Sequence, residues 1–195
     1  MKEVEEFLNS RRQLLKYAAL GIAVLGGNKI NLLADTKNKT SFVGPDKNSR
    51  IDIENKTDTI IQKAYDLGYQ YEKKHRGCAR CTVAALQDAI DFVPVDDELF
   101  RAASCMDGGA TPDSSASCGA FTGSGMIIGY VFGTERFGDN SLAHELIHKV
   151  HRKFVTEYGS VICKNVRKST GAKCPEVVAK AAKWTAEILL NQYAK

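Results

Sequence analysis

Apolar residues recur at helical spacing through the chain from Thr57 onward. In the first such segment, Ile60, Ala64, Leu67 and Tyr71 follow one another at intervals of three and four residues. Similar segments begin near residues 78, 96, 118, 141, 160 and 174. No alternating apolar and polar run longer than a few residues is present, and there is no repeat at a fixed period. We therefore predict an all-α fold with a single compact multi-helix domain over residues 57–195.

The N-terminal residues have the pattern of an export signal. A pair of arginines, Arg11 and Arg12, is followed by Lys16 and an apolar stretch from Tyr17 to Leu25. That stretch is too short to span a bilayer, which takes about 20 apolar residues. We predict a twin-arginine signal or anchor over residues 1–34, although Leu14 stands where the usual pattern has Phe. The alternative is a short amphipathic helix with a basic end.

A polar segment without periodicity, residues 35–56, follows the signal and is predicted to be a linker. Passage through the twin-arginine translocase would place the protein in the periplasm or on the outer face of the cytoplasmic membrane. The formal net charge is +4, and basic residues alternate with acidic ones along the helices instead of forming a stripe. Because nucleic-acid binders concentrate positive charge on one face, we expect no nucleic-acid partner.

The cysteines are concentrated at predicted helix starts. Thiolates are stabilised there, since a helix start carries about half a positive charge. Thiolates are also the ligands of iron–sulfur clusters. Buried filler and a disulfide framework are alternatives, but a Cys-x-x-Cys pair at a helix start is more typical of redox or metal chemistry. The chain has six cysteines: Cys78, Cys81, Cys105, Cys118, Cys163 and Cys174.

Glycines follow Cys118 at a spacing of four residues within a predicted helix. Gly119 and Gly123 share one face of that helix, where each glycine costs about 1 kcal/mol relative to alanine. Small residues on one face let another backbone or a cofactor approach closely. We predict that Gly119 and Gly123 contact a cofactor, with ordinary tight helix packing as the alternative.

Four segments in this order resemble the redox-active family named for its cysteine pattern, C-GCAxxG-C-C. They are "GCARCTVAALQD" at 77–88, "AAS…GG…SCGAFTG" at 102–123, "EYGSVIC" at 157–163, and Cys174. The resemblance places the four family cysteines at Cys78, Cys118, Cys163 and Cys174. It implies a helical domain with a cysteine-held iron–sulfur centre, which we expect to be a [2Fe–2S] cluster. Cys81 and Cys105 are additional, and either could substitute as a ligand.

The resemblance extends to the N-terminal region of split-Soret cytochromes, which are exported and carry an iron–sulfur centre beside c-type haems. Covalent haem is not expected in this chain, because Thr82 follows Cys81 where a haem attachment motif would have histidine. The resemblance thus implies an electron carrier or redox module, with a redox partner in the periplasm or membrane, and not a stand-alone enzyme. Thiol–disulfide chemistry at Cys78 and Cys81 is the alternative.

A further motif, His144-Glu145-Leu146-Ile147-His148, matches the HExxH pattern of zinc hydrolases. On a helix its two histidines share a face and can bind zinc, with Glu145 as the base. However, Lys149 occupies a place that these enzymes usually keep uncharged, and no third ligand is placed as in the known classes. Zinc-dependent hydrolysis is therefore a weaker hypothesis.

Overall fold

Seven α-helices and one 3-10 segment form the part of the chain that the computed structural model describes, residues 56–193. Only an isolated antiparallel bridge, between Ser117 and Ile162, adds β-type pairing within those residues. The all-α prediction is confirmed. The predicted twin-arginine segment and residues 35–55 of the linker lie outside the described residues. In chain order the elements are α1 (Thr57–His75), α2 (Cys78–Ala89), α3 (Asp97–Ala102), a 3-10 segment (Ala103–Gly109), α4 (Gly119–Phe132), α5 (Ser141–Tyr158), α6 (Cys163–Ser169) and α7 (Cys174–Tyr193).

Among the described helices, α1 and α7 share the most extensive packing interface. A glycine at its centre, Gly68, lets the two backbones approach closely. A Cβ atom added at Gly68 would lie 3.1 Å from the Cα of Ala179 and 3.2 Å from the carbonyl oxygen of Val178. Since backbone atoms cannot move aside as side chains do, this interface requires a small residue at position 68.

Helix α2 lies at the centre of the domain, with α1, α4 and α7 packed around it. Helix α2 packs against the face of α4 that carries Gly119 and Gly123, the two glycines that the sequence placed on one face. A Cβ atom at Gly123 would lie 2.7 Å from the carbonyl oxygen of Ala79. The predicted inward face of α5 is also buried in the core, including Leu146, Val150 and Phe154. Among the described residues, no helix combines the length and apolar character needed to cross a membrane.

The chain between α2 and α4 is less helical than its apolar spacing suggests. Helix α2 ends at Ala89, and Ile90 is extended, although the sequence pattern continued to Val93. The Gln87 side-chain amide donates a hydrogen bond to the carbonyl oxygen of Pro94 at 3.0 Å, which stabilises the turn. Beyond α3 the helix tightens to 3-10 geometry and kinks at Asp107, whose ψ of 147° is not helical. This kink brings Asp107 back to the start of α2.

Asp96 is the N-cap of α3, and its replacement by alanine should measurably destabilise the domain. Its side chain accepts hydrogen bonds from the backbone N–H groups of Glu98 at 2.8 Å and Leu99 at 2.9 Å, and from the hydroxyl of Tyr130 at 2.8 Å. We expect Asp96→Ala to lower the free energy of unfolding by about 1–2 kcal/mol in urea titrations. Asp97→Ala, at the exposed neighbouring position, is the matched control. Equal effects of the two changes would contradict the capping role.

Candidate functional site

Four cysteines that are far apart in the chain line one cavity. Cys78, Cys118, Cys163 and Cys174 surround a space of about 130 Å³, together with buried Val166 and Val177 and the charged residues Glu72, Asp107 and Arg167. These are the four cysteines that the sequence analysis selected. Three of the four are buried and Cys174 is half-buried, and none forms a disulfide in the structure.

Each of the four thiols lies at the start of a helix. Cys78, Cys163 and Cys174 are the first residues of α2, α6 and α7, and Cys118 immediately precedes α4. The N–H groups of a first helical turn have no partner within the helix, and the helix dipole is positive at this end. Four helix starts therefore meet at the cavity, although at α2 the Asp107 carboxylate accepts from the N–H of Ala79 and offsets part of the positive end.

A short backbone bridge places Cys118 beside Cys163. The N–H of Cys118 donates to the carbonyl oxygen of Val161 at 2.7 Å, and the N–H of Cys163 donates to that of Ala116 at 2.9 Å. The 3-10 segment then contacts Cys163 through Gly109. This residue has a φ of +80°, and a Cβ atom there would lie 2.6 Å from the Cβ of Cys163. Glycine is needed at 109 for both its conformation and its closeness to the thiol.

Asp107 fixes the start of α2, and with it the position of Cys78. One carboxylate oxygen accepts from the N–H of Ala79 at 2.8 Å, and the other accepts from Nε of Arg80 at 2.8 Å. On the opposite side, a Cβ atom at Gly119 would collide with Sγ of Cys78. Gly119 therefore does not line the cavity itself but makes room for the Cys78 sulfur, while Gly123 packs against the α2 backbone.

The thiols of Cys118 and Cys163 interact directly. The interaction between the two thiols lowers the pKa of Cys163 below its ordinary value and raises the pKa of Cys118. The hydroxyl of Ser114 and the charge of Arg167 also favour the Cys163 thiolate. Burial raises the pKa of Cys78 to about 11. The Cys163 thiolate is thus favoured by its neighbours, whereas burial and the nearby carboxylates of Glu72 and Asp107 favour the neutral thiol of Cys78.

Residues 77–188 match the family model described as "Putative redox-active protein (C_GCAxxG_C_C)". The match covers more than half of the chain and contains all four cavity cysteines. The chain belongs to this family. No curated protein and no solved structure shows significant similarity to it. Membership in the C_GCAxxG_C_C family supports a redox role for the domain.

The two additional cysteines of this family member lie away from the four-cysteine cavity. Cys81 lines a different cavity, and burial raises the pKa of its thiol to about 12. Cys105 is exposed, and its Sγ lies 3.7 Å from the carbonyl oxygen of Ala102. Cys78 and Cys81, one helical turn apart, therefore face different spaces. This geometry favours neither substitution by Cys81 or Cys105 as ligands nor a Cys78–Cys81 redox pair.

Glu72 is the cavity residue that sequence reasoning missed. It is only 6% exposed, and its Oε2 atom has no hydrogen-bond partner among the described residues. Burial raises the pKa of its carboxyl group, while a hydrogen bond from the Cys81 thiol opposes this shift. Glu72 precedes Lys73 and Lys74, so it resembles a solvated residue. Its position in the helix could have indicated burial, because Glu72 follows the buried residues Ala64 and Gly68 at intervals of four and so lies on the same face.

The donor set of the cavity is of the kind that holds an iron–sulfur cluster. Four thiols line it, and four cysteine thiolates are the usual ligands of [2Fe–2S] clusters. Within residues 56–193, no group of three or more His, Cys, Asp or Glu side chains is arranged to hold a single metal ion.

The HExxH residues lie on α5, and none of them lines the four-cysteine cavity. His144, Glu145 and His148 are exposed, and the two imidazole rings are 6.2 Å apart in an edge-to-face arrangement. Glu145 forms an ion pair with Lys149 at 2.8 Å, so the proposed base is engaged by the lysine that zinc hydrolases usually lack. The described residues also supply no third ligand in a metal-binding arrangement. This geometry gives no support to a hydrolase.

Proposed function

We propose that this protein is an exported electron carrier with a [2Fe–2S] cluster held by Cys78, Cys118, Cys163 and Cys174. The observation that carries the proposal is the convergence of four helix-start thiols on one cavity. Family membership supports a redox role for these residues. The cluster would supply one-electron transfer, and the protein residues would hold it and set its surroundings.

The cavity residues have distinct tasks in this proposal. The positive helix starts offset the negative charge of four thiolates. Val166 and Val177, which are 1% and 3% exposed, keep water out. Arg167 adds a positive charge beside Cys163, and Asp107 maintains the start of α2. Water exclusion and fixed charge are the main means by which a protein tunes a redox centre.

Export by the twin-arginine route is part of the proposal. Its support is the arginine pair followed by a short apolar stretch near the N-terminus. In this view the chain folds and acquires its cluster before passing through the translocase. The mature protein then exchanges electrons with a partner in the periplasm or membrane. A fusion of residues 1–56 to a reporter should be exported, and changing both Arg11 and Arg12 to Lys should stop this export.

Anaerobic purification of the full chain tests the cluster directly. We expect brown protein that absorbs in the visible range, with iron and acid-labile sulfide in equal amounts. Reduction by dithionite should bleach the absorption, as expected for a one-electron centre. Colourless protein without iron, after expression in iron-supplemented cells and after chemical reconstitution, would overturn the proposal.

The paired thiols of Cys118 and Cys163 favour a second candidate function, thiol–disulfide exchange. Both sulfur atoms line the same cavity, and the short backbone bridge places the two residues side by side. The lowered pKa of Cys163 favours the attacking thiolate. A disulfide would require the sulfur atoms to approach to about 2.05 Å. If this is the function, iron-free protein should gain a single Cys118–Cys163 disulfide on oxidation, which peptide mapping would detect, and lose it on treatment with a dithiol.

A further inference from the structure

A second cavity lies next to the four-cysteine cavity and opens on the α1–α2 face of the domain. We call it the basic cavity and define it by Tyr71, Arg76, Arg80, Cys81, Ala84 and Phe100; its volume is about 510 Å³. This lies within the range of small-molecule sites, which is about 300–1,000 Å³. Like such sites, it combines aromatic and apolar walls with a few polar groups at one end.

Two side-chain pairs separate the basic cavity from the cysteines. In the first pair, Cys81 lines the basic cavity and lies beside Glu72, which lines the four-cysteine cavity. In the second, Arg80 faces the basic cavity and forms an ion pair at 2.8 Å with Asp107 on the other side. A molecule bound in the basic cavity would thus be one layer of side chains away from the cysteines.

The charges along the basic cavity are separated. Arg80, Ala84 and Asp88 follow one another at intervals of four on α2, so Arg80 and Asp88 are about 12 Å apart along the helix. At the Asp88 end of the cavity, the Asp88 carboxylate accepts a hydrogen bond from the hydroxyl of Tyr71 at 2.6 Å. Arg76 and Arg80 therefore make the opposite end cationic, and the rest of the lining includes the apolar side chains of Ala84 and Phe100 and the imidazole of His75.

Arg76 is held in an unusual conformation at the cationic end. Its φ is +52°, a left-handed value that costs a non-glycine residue about 1–2 kcal/mol. Arg76 is exposed and its guanidinium group has no hydrogen-bond or ion-pair partner among the described residues, whereas Arg80 is paired with Asp107. Strained residues are concentrated at functional sites. An unpaired cation beside an apolar cavity is also the arrangement that binds the anionic group of an aromatic ligand.

We propose that the basic cavity binds a small aromatic anion. The ring lies against Tyr71, Ala84 and Phe100, and the anionic group pairs with Arg76. This site goes beyond the proposed electron carrier and does not depend on what the cysteines hold. Its position would let the ligand approach a centre in the neighbouring cavity without entering it.

Isothermal titration of the purified full chain with naphthalene-2-sulfonate tests the site. The neutral analogue 2-naphthylmethanol separates the contribution of charge from that of the ring. We expect Arg76→Ala to weaken sulfonate binding about fivefold and to leave the neutral probe nearly unchanged. Ala84→Trp should abolish binding of both probes by filling the cavity. Ala84→Leu, a smaller change, should weaken both if the tryptophan variant does not fold.

Two matched controls keep the test specific. Arg152→Ala removes an exposed arginine from α5, and Ala143→Trp fills a different cavity of about 590 Å³. Neither should change sulfonate binding. Absence of detectable sulfonate binding to the wild-type chain, or binding that survives both Arg76→Ala and the Ala84 substitutions, would overturn the site. Because the titration does not measure iron, its failure is distinct from failure of the electron-carrier proposal.

Discussion

Replacing Cys118 by serine is expected to abolish binding of the proposed iron–sulfur cluster. The Cys118 sulfur is buried, lines the four-cysteine cavity and contacts Cys163, so its loss leaves the proposed cluster with three thiolates. A serine hydroxyl is a harder and less acidic ligand than a thiol. Changes in groups that only support a ligand cost 10–100-fold in metal affinity, so loss of a ligand should weaken cluster binding at least about tenfold and lower the iron content of the purified protein.

Iron and sulfide analysis with visible spectra of parallel preparations would measure this effect. Cys105→Ser is the matched control, because Cys105 is exposed and lies outside the cavity. Cys81→Ser should also retain iron, since Cys81 faces the basic cavity. Loss of iron in Cys81→Ser with retention in Cys118→Ser would show that the ligand set proposed here is wrong. Each variant should be checked by circular dichroism, so that loss of iron is not confused with loss of the fold.

The same variants distinguish the two candidate functions. If Cys118 and Cys163 act as a dithiol, wild-type protein carries no iron, and either serine variant loses the reversible disulfide. If they are cluster ligands, serine at either position removes colour and iron from a protein that had both. The outcome for Cys174 is also informative, because a Cys118–Cys163 dithiol does not require that residue, whereas a four-thiolate cluster does.

The helices and the four relevant cysteines could be predicted from local sequence signals. Apolar spacing indicated the helices, and glycine or proline marked several of their ends. Helix α5 begins at Ser141, where the sequence pattern predicted a helical segment to start. The position of Cys78 after Gly77 and of Cys174 before Pro175 indicated thiols at helix starts. These signals depend only on neighbouring residues, and the helices of the structure start at or next to these cysteines.

The remaining features depend on tertiary contacts and could not be predicted in the same way. The kink at Asp107 exists because its carboxylate caps α2, 28 residues away in sequence. The bridge between Ser117 and Ile162 is too short to give an alternating pattern. The packing of α1 against α2 decides which cavity the Cys81 side chain lines. The sequence alone therefore left Cys78 and Cys81 as a possible redox pair. Glu72 was missed because its charge indicated solvent exposure, although its register indicated burial.

Replacing Gly119 by alanine is expected to destabilise the domain and disturb Cys78 together. An added Cβ atom would collide with Sγ of Cys78 and lie 2.8 Å from the carbonyl oxygen of Met106 and 3.0 Å from the backbone nitrogen of Ala79. Two of these three neighbours are backbone atoms, so α2 and the 3-10 segment would have to shift. Overpacking of this kind typically costs about 1–3 kcal/mol. We expect thermal unfolding about 4–8 °C below that of the wild type, at about 2 kcal/mol of destabilisation.

Gly129→Ala is the matched control on the same helix. Gly129 is exposed, and a Cβ atom added there meets no other atom within 4 Å. Alanine should therefore stabilise α4 by about 0.5–1 kcal/mol, because glycine is the poorer helix former. The two substitutions are chemically identical and ten residues apart, so opposite signs in their effects on thermal unfolding can only come from what lies beside each glycine. If Gly119→Ala were as stable as Gly129→Ala and kept the wild-type visible spectrum, α2 would not be held against α4 closely enough to fix the Cys78 sulfur at the cavity.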